Sequence, residues 1–302
     1  MRPEPKFSIL IPYFEKEDSL IKILDFLNSH PDWIEEIIVV CDGSKPPQIA
    51  EKKCTLIEFS INQGLSWTRN ELLLRSRGDN IVFLDADAIP QESFFESIAK
   101  DWDRKSFFAG REIDSREQGY SNLYRSRFLV QTLGDQDLFP APFFMGICFG
   151  GPRQNFLDLG GFHEGFRNHG EDLEFSFRAR KERFRIQYLS SLMVFHDRDD
   201  TPSSLRRMIR NHARFQVFAH LVHGISIINV LWQALLWIPV TAWSSFKRTR
   251  SPLFSLFSVF HSAYALLFKL LALIEFKSDS YEPTQLGHIF GSQHQKIPDQ
   301  KP

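Results

Sequence analysis

Asp85-Ala86-Asp87 is the stretch of this sequence best suited to do chemistry. Ile81, Val82, Phe83 and Leu84 precede it as a continuous apolar run, the pattern of a strand buried on both faces of a parallel sheet. On an extended chain, side chains two apart point the same way, so both carboxylates converge at the strand's end before Pro90 stops the strand. In open α/β sheets, ligands bind at that carboxyl edge. Two hard oxygen ligands there suit Mg²⁺ or Mn²⁺ carrying a diphosphate. A lone D-x-D is equally a polar turn capping a helix near Glu92, so the metal reading needs further acids at the same edge.

Three other stretches supply them. Asp42 ends the run Ile37 to Cys41 just before Gly-Ser; alone it is turn chemistry, but beside the aspartate pair it adds a third carboxylate to the rim. Clustered carboxylates repel, so a cation or polar ligand groups must compensate them. Asn62, Arg69 and Asn70 line the next strand-helix unit, and Arg69 is placed either to meet phosphate or on a solvated helix face. Gly170-Glu171-Asp172-Leu173-Glu174 opens a helix with acids that its dipole favours in any case. The glycine-rich approach GGFHEGFRNHG makes it a built loop that can present a general base to an acceptor hydroxyl. His196 follows the last apolar run and reads as a metal ligand, a phosphate contact or a structural histidine.

The elements that must position these groups alternate. Phe7 to Ile11, Ile37 to Cys41, Leu56 to Phe59 and the run before Asp85 read as buried strands; Asp18 to Leu27 and Ser66 to Arg77 read as helices. Asp18 or Ser19 is the expected cap of the first. This order implies a mostly parallel sheet with right-handed crossovers. No G-x-G-x-x-G or P-loop follows the first strand, which excludes the common dinucleotide and P-loop sites. Downstream, Glu92 to Trp102 reads as a helix, Phe107 to Ala109 as a strand, and Gly119 to Pro142 as part helix and part loop. Phe143 to Gly151 reads as a strand, Asn155 to Leu159 and Glu171 to Lys181 as helices. Ile186 to Leu189 and Leu192 to Phe195 read as two short strands. Ser203 or Ser204 then caps a basic helix carrying Arg206, Arg207, Arg210 and Arg214.

The 302 residues carry a net charge of −1, which gives no argument for nucleic acid as a partner. Cys41, Cys54 and Cys148 have no ligand or disulfide spacing and read as reduced core thiols. The N-terminus MRPEPKFSIL lacks an apolar signal region. Thirty Phe suggest that some surface does not face water.

FSILIPYFE, the Asp in VVCDGS, NQGLSWTRN, FLDADA and GGFHEGFRNHGEDLEFSFRARKERFRI together resemble the inverting family 2 glycosyltransferases over roughly Lys6 to Arg214. The resemblance implies a GT-A-like α/β fold, a mostly parallel sheet sandwiched by helices, with a nucleotide-sugar half over about 1–105 and an acceptor half over about 106–218. It implies that Asp42 contacts the nucleotide base, usually uracil, that Asp85 sits near the ribose, and that Asp87 holds a divalent metal, with His196 as a further ligand. It also implies Asp172 as catalytic base and Glu171 orienting the acceptor. The Q-x-x-R-W of processive synthases is absent, and RRMIRNHARF stands in that region, so the expected reaction adds a single sugar. The partners implied are a nucleotide-sugar donor, UDP-linked in the first instance, and a glycan or lipid-linked acceptor. A glycoside hydrolase would share the two carboxylates without needing the metal, and a non-catalytic nucleotide-sugar-binding membrane protein would bind without transferring.

Between Arg214 and Lys247 there is no Asp, Glu, Lys or Arg. Ile225 to Phe246 as a helix would span about 33 Å at about 1.5 Å per residue, enough for a bilayer. After Lys247-Arg248-Thr249-Arg250, Pro252 to Phe276 is nearly as apolar but keeps Ser255, Ser258, Ser262, Ala265 and Lys269 in a narrow stripe. Two full spans would set the basic turn outside, against the cytoplasmic bias of basic residues. A hairpin over 219–276 lying in one leaflet on the cytoplasmic side is the expectation, with core packing on the catalytic domain as the alternative. Residues 277–302 read as a polar tail.

Overall fold

The computed structural model describes residues 4–49, 52–113 and 118–276. The expected polar tail lies outside them. One mixed sheet of eight strands forms the centre, in the order β3-β2-β1-β4-β7-β6-β8-β5. β1 (Phe7–Tyr13), β2 (Ile34–Asp42), β3 (Thr55–Phe59) and β4 (Asn80–Leu84) are mutually parallel neighbours, joined by α1 (Glu17–Asn28) and α2 (Leu65–Arg75). Every residue of β1 is buried, as its unbroken apolar run requires of a strand covered on both faces. β5 is Ala88–Pro90 and α3 is Phe94–Asp101. β6 (Phe107–Ile113), α4 (Gly119–Phe128), β7 (Cys148–Pro152), α5 (Arg153–Asp158), α6 (Glu171–Lys181) and β8 (Ile186–His196) complete the layer. β7 enters antiparallel between β4 and β6, while β6 and β8 run parallel to each other. As a result β1, β2, β4, β6 and β8 all end at one edge, and the chemistry-bearing residues follow directly from those ends.

β7 is held close by a glycine. A Cβ at Gly150 would stand 2.2 Å from the carbonyl oxygen of Ile81, so no larger residue allows β7 to pair with β4 there. Below the sheet, Phe83 meets Phe149, Phe156 and Phe162 with ring centroids 5.0, 5.6 and 5.5 Å away. Much of the phenylalanine load thus fills the interior. Among the described residues the exposed ones are Phe14, Phe139, Phe195, Phe246 and Phe260.

Local differences from the sequence expectation have clear causes. β4 already stops at Leu84, and Pro90 ends a separate short strand, β5, which pairs only with β8 at the sheet margin, where a missing N–H is tolerated. Residues 186–189 and 192–195 form one strand, because the register shift between Ala109 and Arg111 of β6 absorbs the break. Lys16, not Asp18 or Ser19, occupies the cap of α1. Thr201, not Ser203, caps α7 (Pro202–Val222) by accepting from the Ser204 N–H, and Ser204 reciprocates in a capping box. α7 runs past 218, so the expected domain boundary falls inside it.

α8 (Ile228–Thr249) and α9 (Pro252–Glu275) form a hairpin against α7. Its polarity is inside out. The Ser245 hydroxyl donates to Ser258 at 2.7 Å, Thr241 and Ser262 share a 2.9 Å hydrogen bond, and all four are buried. Trp232, Leu236, Trp237, Trp243, Leu253 and Leu256 instead face outward. Ser258 and Ser262 of the sequence stripe thus lie in the seam with α8, while Lys269 donates to Gln216 of α7 at 2.6 Å. Among the described residues α9 is the helix long and apolar enough to cross a membrane.

Phe83→Ala removes the ring at the centre of this aromatic layer. Its expected penalty is about 3–5 kcal/mol of stability, read as a lower denaturant midpoint at unchanged slope.

Candidate active site

At the shared edge, Asp42 turns its carboxylate onto the following loop. One oxygen accepts the Gln63 N–H and the other the Gly64 N–H, both at 2.8 Å, while Asn62 donates its amide to the Asp42 carbonyl at 3.0 Å. Gly64 has φ +105°, a backbone region that favours glycine. Asp42 and Asn62, expected as nucleotide contacts, thus first build the loop that starts α2.

Asp85 and Asp87 are not the extended pair the sequence suggested. The Ala88 N–H donates to the Asp85 carbonyl at 2.9 Å, closing a turn that sends the carboxylates to different partners. Asp85 accepts from Arg69 at 3.1 Å, and Asp87 faces His196 Nε2 at 3.1 Å. Both still line one cavity of about 470 Å³, together with Phe14, Leu65, Arg198 and Arg207. Burial and the neighbouring Asp87 lift the Asp85 carboxyl to about 6 against the pull of Arg69. Burial also acts on Asp87, but the bond to His196 and the charges of Lys16 and Arg198 hold it below the usual carboxylate range.

Arg69 joins the two acidic motifs. Its guanidinium donates to Glu171 at 2.5 Å, to Asp85 at 3.1 Å and to the Gly146 carbonyl at 2.7 Å. The Gly146 N–H in turn donates to Asp172 Oδ2 at 2.9 Å. Asp85 and Asp172 therefore stand on either side of one cation, although 87 residues apart in sequence. Arg69 is fully buried and ringed by Phe149 and Phe162, so it cannot reach a phosphate as expected. Glu171 is likewise closed off, at 4% exposure, and its Oε2 has no hydrogen-bond partner. Burial and the adjacent Asp172 push its carboxyl upward despite Arg69, because several acids share a single guanidinium. Asp172 alone of the acidic pair is partly accessible.

Sequence reasoning missed the support behind Asp87. His196 Nδ1 lies 2.8 Å from Glu112, Arg125 donates to the same Glu112 oxygen at 2.6 Å, and Arg125 Nη1 stands 3.6 Å from Asp200. Burial opposes the imidazolium, yet Asp87 and Glu112 raise His196 to about 9. The one available signal was Glu112 itself, a carboxylate beside Arg111 near the end of the strand FFAGREI. On the far side of α6, Glu174 pairs with Arg178 at 2.9 Å and with His223 at 3.1 Å, tying α6 to the end of α7.

Among the described residues no three His, Cys, Asp or Glu side chains converge as a ready-made metal cage. Two carboxylates opening into a cleft nevertheless fit a hard divalent cation whose remaining ligands are substrate phosphates and water.

Residues 8–160, just over half of the chain, match the family model described as Glycosyl transferase family 2. An uncharacterized glycosyltransferase of Haemophilus influenzae is 22% identical over 215 residues, covering 65% of this chain and 71% of that protein. The mannosyltransferase PcManGT of Pyrobaculum calidifontis, solved with GDP-Man and Mn²⁺, is 16% identical over 97% of this chain and 80% of its own, with a TM-score of 0.54. TarS 1–349 of S. aureus gives 15%, 88%, 90% and 0.51 in the same terms. GalNAc-T7 with UDP, GalNAc and Mn²⁺ gives 14% identity and a TM-score of 0.50 over 72% of this chain, which spans about half (51%) of that one. These likenesses show a GT-A-like fold.

Two outcomes follow from the geometry. Arg69→Met strands Asp85 and Glu171 without a counter-charge, and about 3–5 kcal/mol of unfolding free energy should be lost in urea titrations. Burial works against the Glu174 carboxylate, but Arg178 and His223 hold it at about 2 against an ordinary 4.5. The stability this group contributes is thus full above about pH 4.5 and is lost as the pH falls towards about 2. Glu174→Gln should flatten that acid limb in unfolding midpoints measured stepwise across the interval.

Proposed function

Since the chain belongs to glycosyl transferase family 2, we propose that it moves one sugar, with inversion, from a nucleotide sugar to a hydroxyl of a glycan or lipid-linked acceptor at a membrane surface. The observation that carries this reading is the meeting of Asp85 and Asp172 around Arg69 at one edge of the sheet. In this assignment the donor lies in the cleft before Asp85 and Asp87. A divalent cation held by Asp87, with Asp85 beside it, would neutralise charge on the departing nucleoside diphosphate. The Mn²⁺ and nucleotides in two of the similar structures support that choice.

The chain's own groups do the rest. Asp172 accepts the proton of the acceptor hydroxyl as its oxygen attacks the anomeric carbon from the face opposite the diphosphate. The Gly146 N–H on Oδ2 fixes the orientation of that carboxylate. Glu171, through Arg69, keeps Asp85 and the Gly146 loop in place, so its proposed role is positioning. His196 braces Asp87 and becomes a ligand only by turning from that carboxylate to the cation. UDP is the first candidate for the donor nucleotide, and GDP belongs in any panel, because the similar structures hold both.

The inside-out hairpin supports the membrane part. Outward Trp and Leu side chains over a seam of buried hydroxyls are the arrangement expected where the surroundings are lipid. The basic flank Lys247, Arg248 and Arg250 at the turn favours a hairpin set in the cytoplasmic leaflet over two complete spans.

With Mn²⁺, one of the UDP- or GDP-sugars should raise the melting temperature of the purified chain, and no stabilisation by any of them would remove the donor assignment. Asp87→Ala and Asp172→Asn should each lower kcat by about 10²–10⁴-fold in folded enzyme, and near-normal turnover would exclude that residue. Trp237→Glu with Leu236→Glu, both at exposed positions, should reduce co-flotation with lipid vesicles while leaving nucleotide binding intact.

A further inference from the structure

Burial of Arg69 leaves the donor's diphosphate without the cation the sequence appointed for it. A nucleoside diphosphate leaving group carries about two to three negative charges, whereas a divalent metal bound by two carboxylates has no net positive charge to set against them. Two other residues lining the same cleft supply what is missing. We propose that Arg198 and Arg207 bind the diphosphate of the sugar donor and take up the charge that develops as it leaves. This rests on the donor reading above and names the groups that complete it.

The two arginines differ from ordinary surface charges in how they are set. Both line the cavity that holds the aspartate pair. Arg207 is solvent-exposed and has no ion-pair partner among the described residues. Its backbone is nevertheless fixed, because it lies on α7 just past the Thr201–Ser204 capping box, with Leu205, Met208 and Ile209 buried against Tyr124 and Phe254. Only the side chain is free to move. Arg198 is held more tightly: its Nε stands 3.5 Å from Asp200, and the N–H of the preceding Asp197 donates to the Asp87 carbonyl at 2.7 Å. The segment bearing Arg198 is thus stitched to the turn bearing Asp87.

The planar guanidinium fork matches two phosphate oxygens at once, which favours a diphosphate over a single carboxylate or hydroxyl. Arg206, the exposed neighbour, does not line that cavity and serves as the internal control.

An anionic lipid headgroup offers similar phosphate chemistry, so the test separates the two sources. The full chain in detergent micelles is titrated by calorimetry with UDP and GDP in the presence of Mn²⁺, with uridine and guanosine as phosphate-free controls, and with phosphatidylglycerol vesicles. Arg198→Ala and Arg207→Ala should each weaken the diphosphate Kd about tenfold, equivalent to about 1.4 kcal/mol. Nucleoside and vesicle binding should not change, Arg207→Lys should recover part of the affinity, and Arg206→Ala should behave as the unaltered chain. If the unaltered chain binds UDP or GDP and both alanine variants bind it as tightly, this assignment fails while the donor reading stands. Loss of vesicle binding alone assigns the arginines to lipid and overturns it equally. If the unaltered chain binds neither diphosphate, the donor reading itself has failed and the assignment falls with it.

Discussion

A single buried guanidinium, Arg69, holds the site together. It touches Asp85, Glu171 and the carbonyl of Gly146, and Gly146 fixes Asp172. Burying a charge among aromatic rings is costly unless it is fully paired, and here the partners come from β4, α6 and the loop before β7. That requirement fixes the separation of the two acidic motifs. The aromatic layer beneath, with Phe149 and Phe162 against the guanidinium, excludes the water that would loosen it. Arg69 therefore acts as a brace, and the chemistry is left to the carboxylates that remain accessible.

The acids at 42, 85, 87 and 172 were legible because each follows an apolar run or opens a helix, and strand-end logic sends them to one edge. What each acid does there was less legible. Asp42 reads as a ligand until its two oxygens are found on the backbone of residues 63 and 64. Arg69 reads as a phosphate contact because its burial is decided by Phe149, Phe162 and Glu171, all at least 80 residues away. Local pattern carries residue type and direction along an element, but burial is set by the tertiary neighbours. Pro90 shows the same limit, since whether a proline ends a strand or occupies an edge depends on what lies beside it. The stripe on α9, in contrast, was legible as a period, and Ser258 and Ser262 meet α8 as a narrow polar row implies.

α7 connects two functions that could have been separate. Its first turns bring Ser204 and Arg207 to the cleft, and its later turns, at Val217 and Ala219, pack on Ala272 of α9. The wall of the donor cleft is thus continuous with the support of the apolar hairpin. Glu174 and His223 fasten the same helix to α6, which carries Asp172. Three elements share one rigid connection, so the distance from cleft to hairpin surface is set by helix packing and not by a flexible linker.

The pairings that neutralise the site are long-range. Arg69 meets Asp85 16 residues on, but its second acid, Glu171, comes 102 residues later, and Ser19 meets Asp197 across 178. During ribosomal synthesis the strands β1 to β4 emerge well before Glu171 or His196 exists. The nascent half-sheet therefore has Asp85 as the one acid of the site available to Arg69, while Asp87 still lacks His196. The catalytic edge can therefore close only once α6, β8 and α7 have left the exit tunnel, well after the strands that frame it.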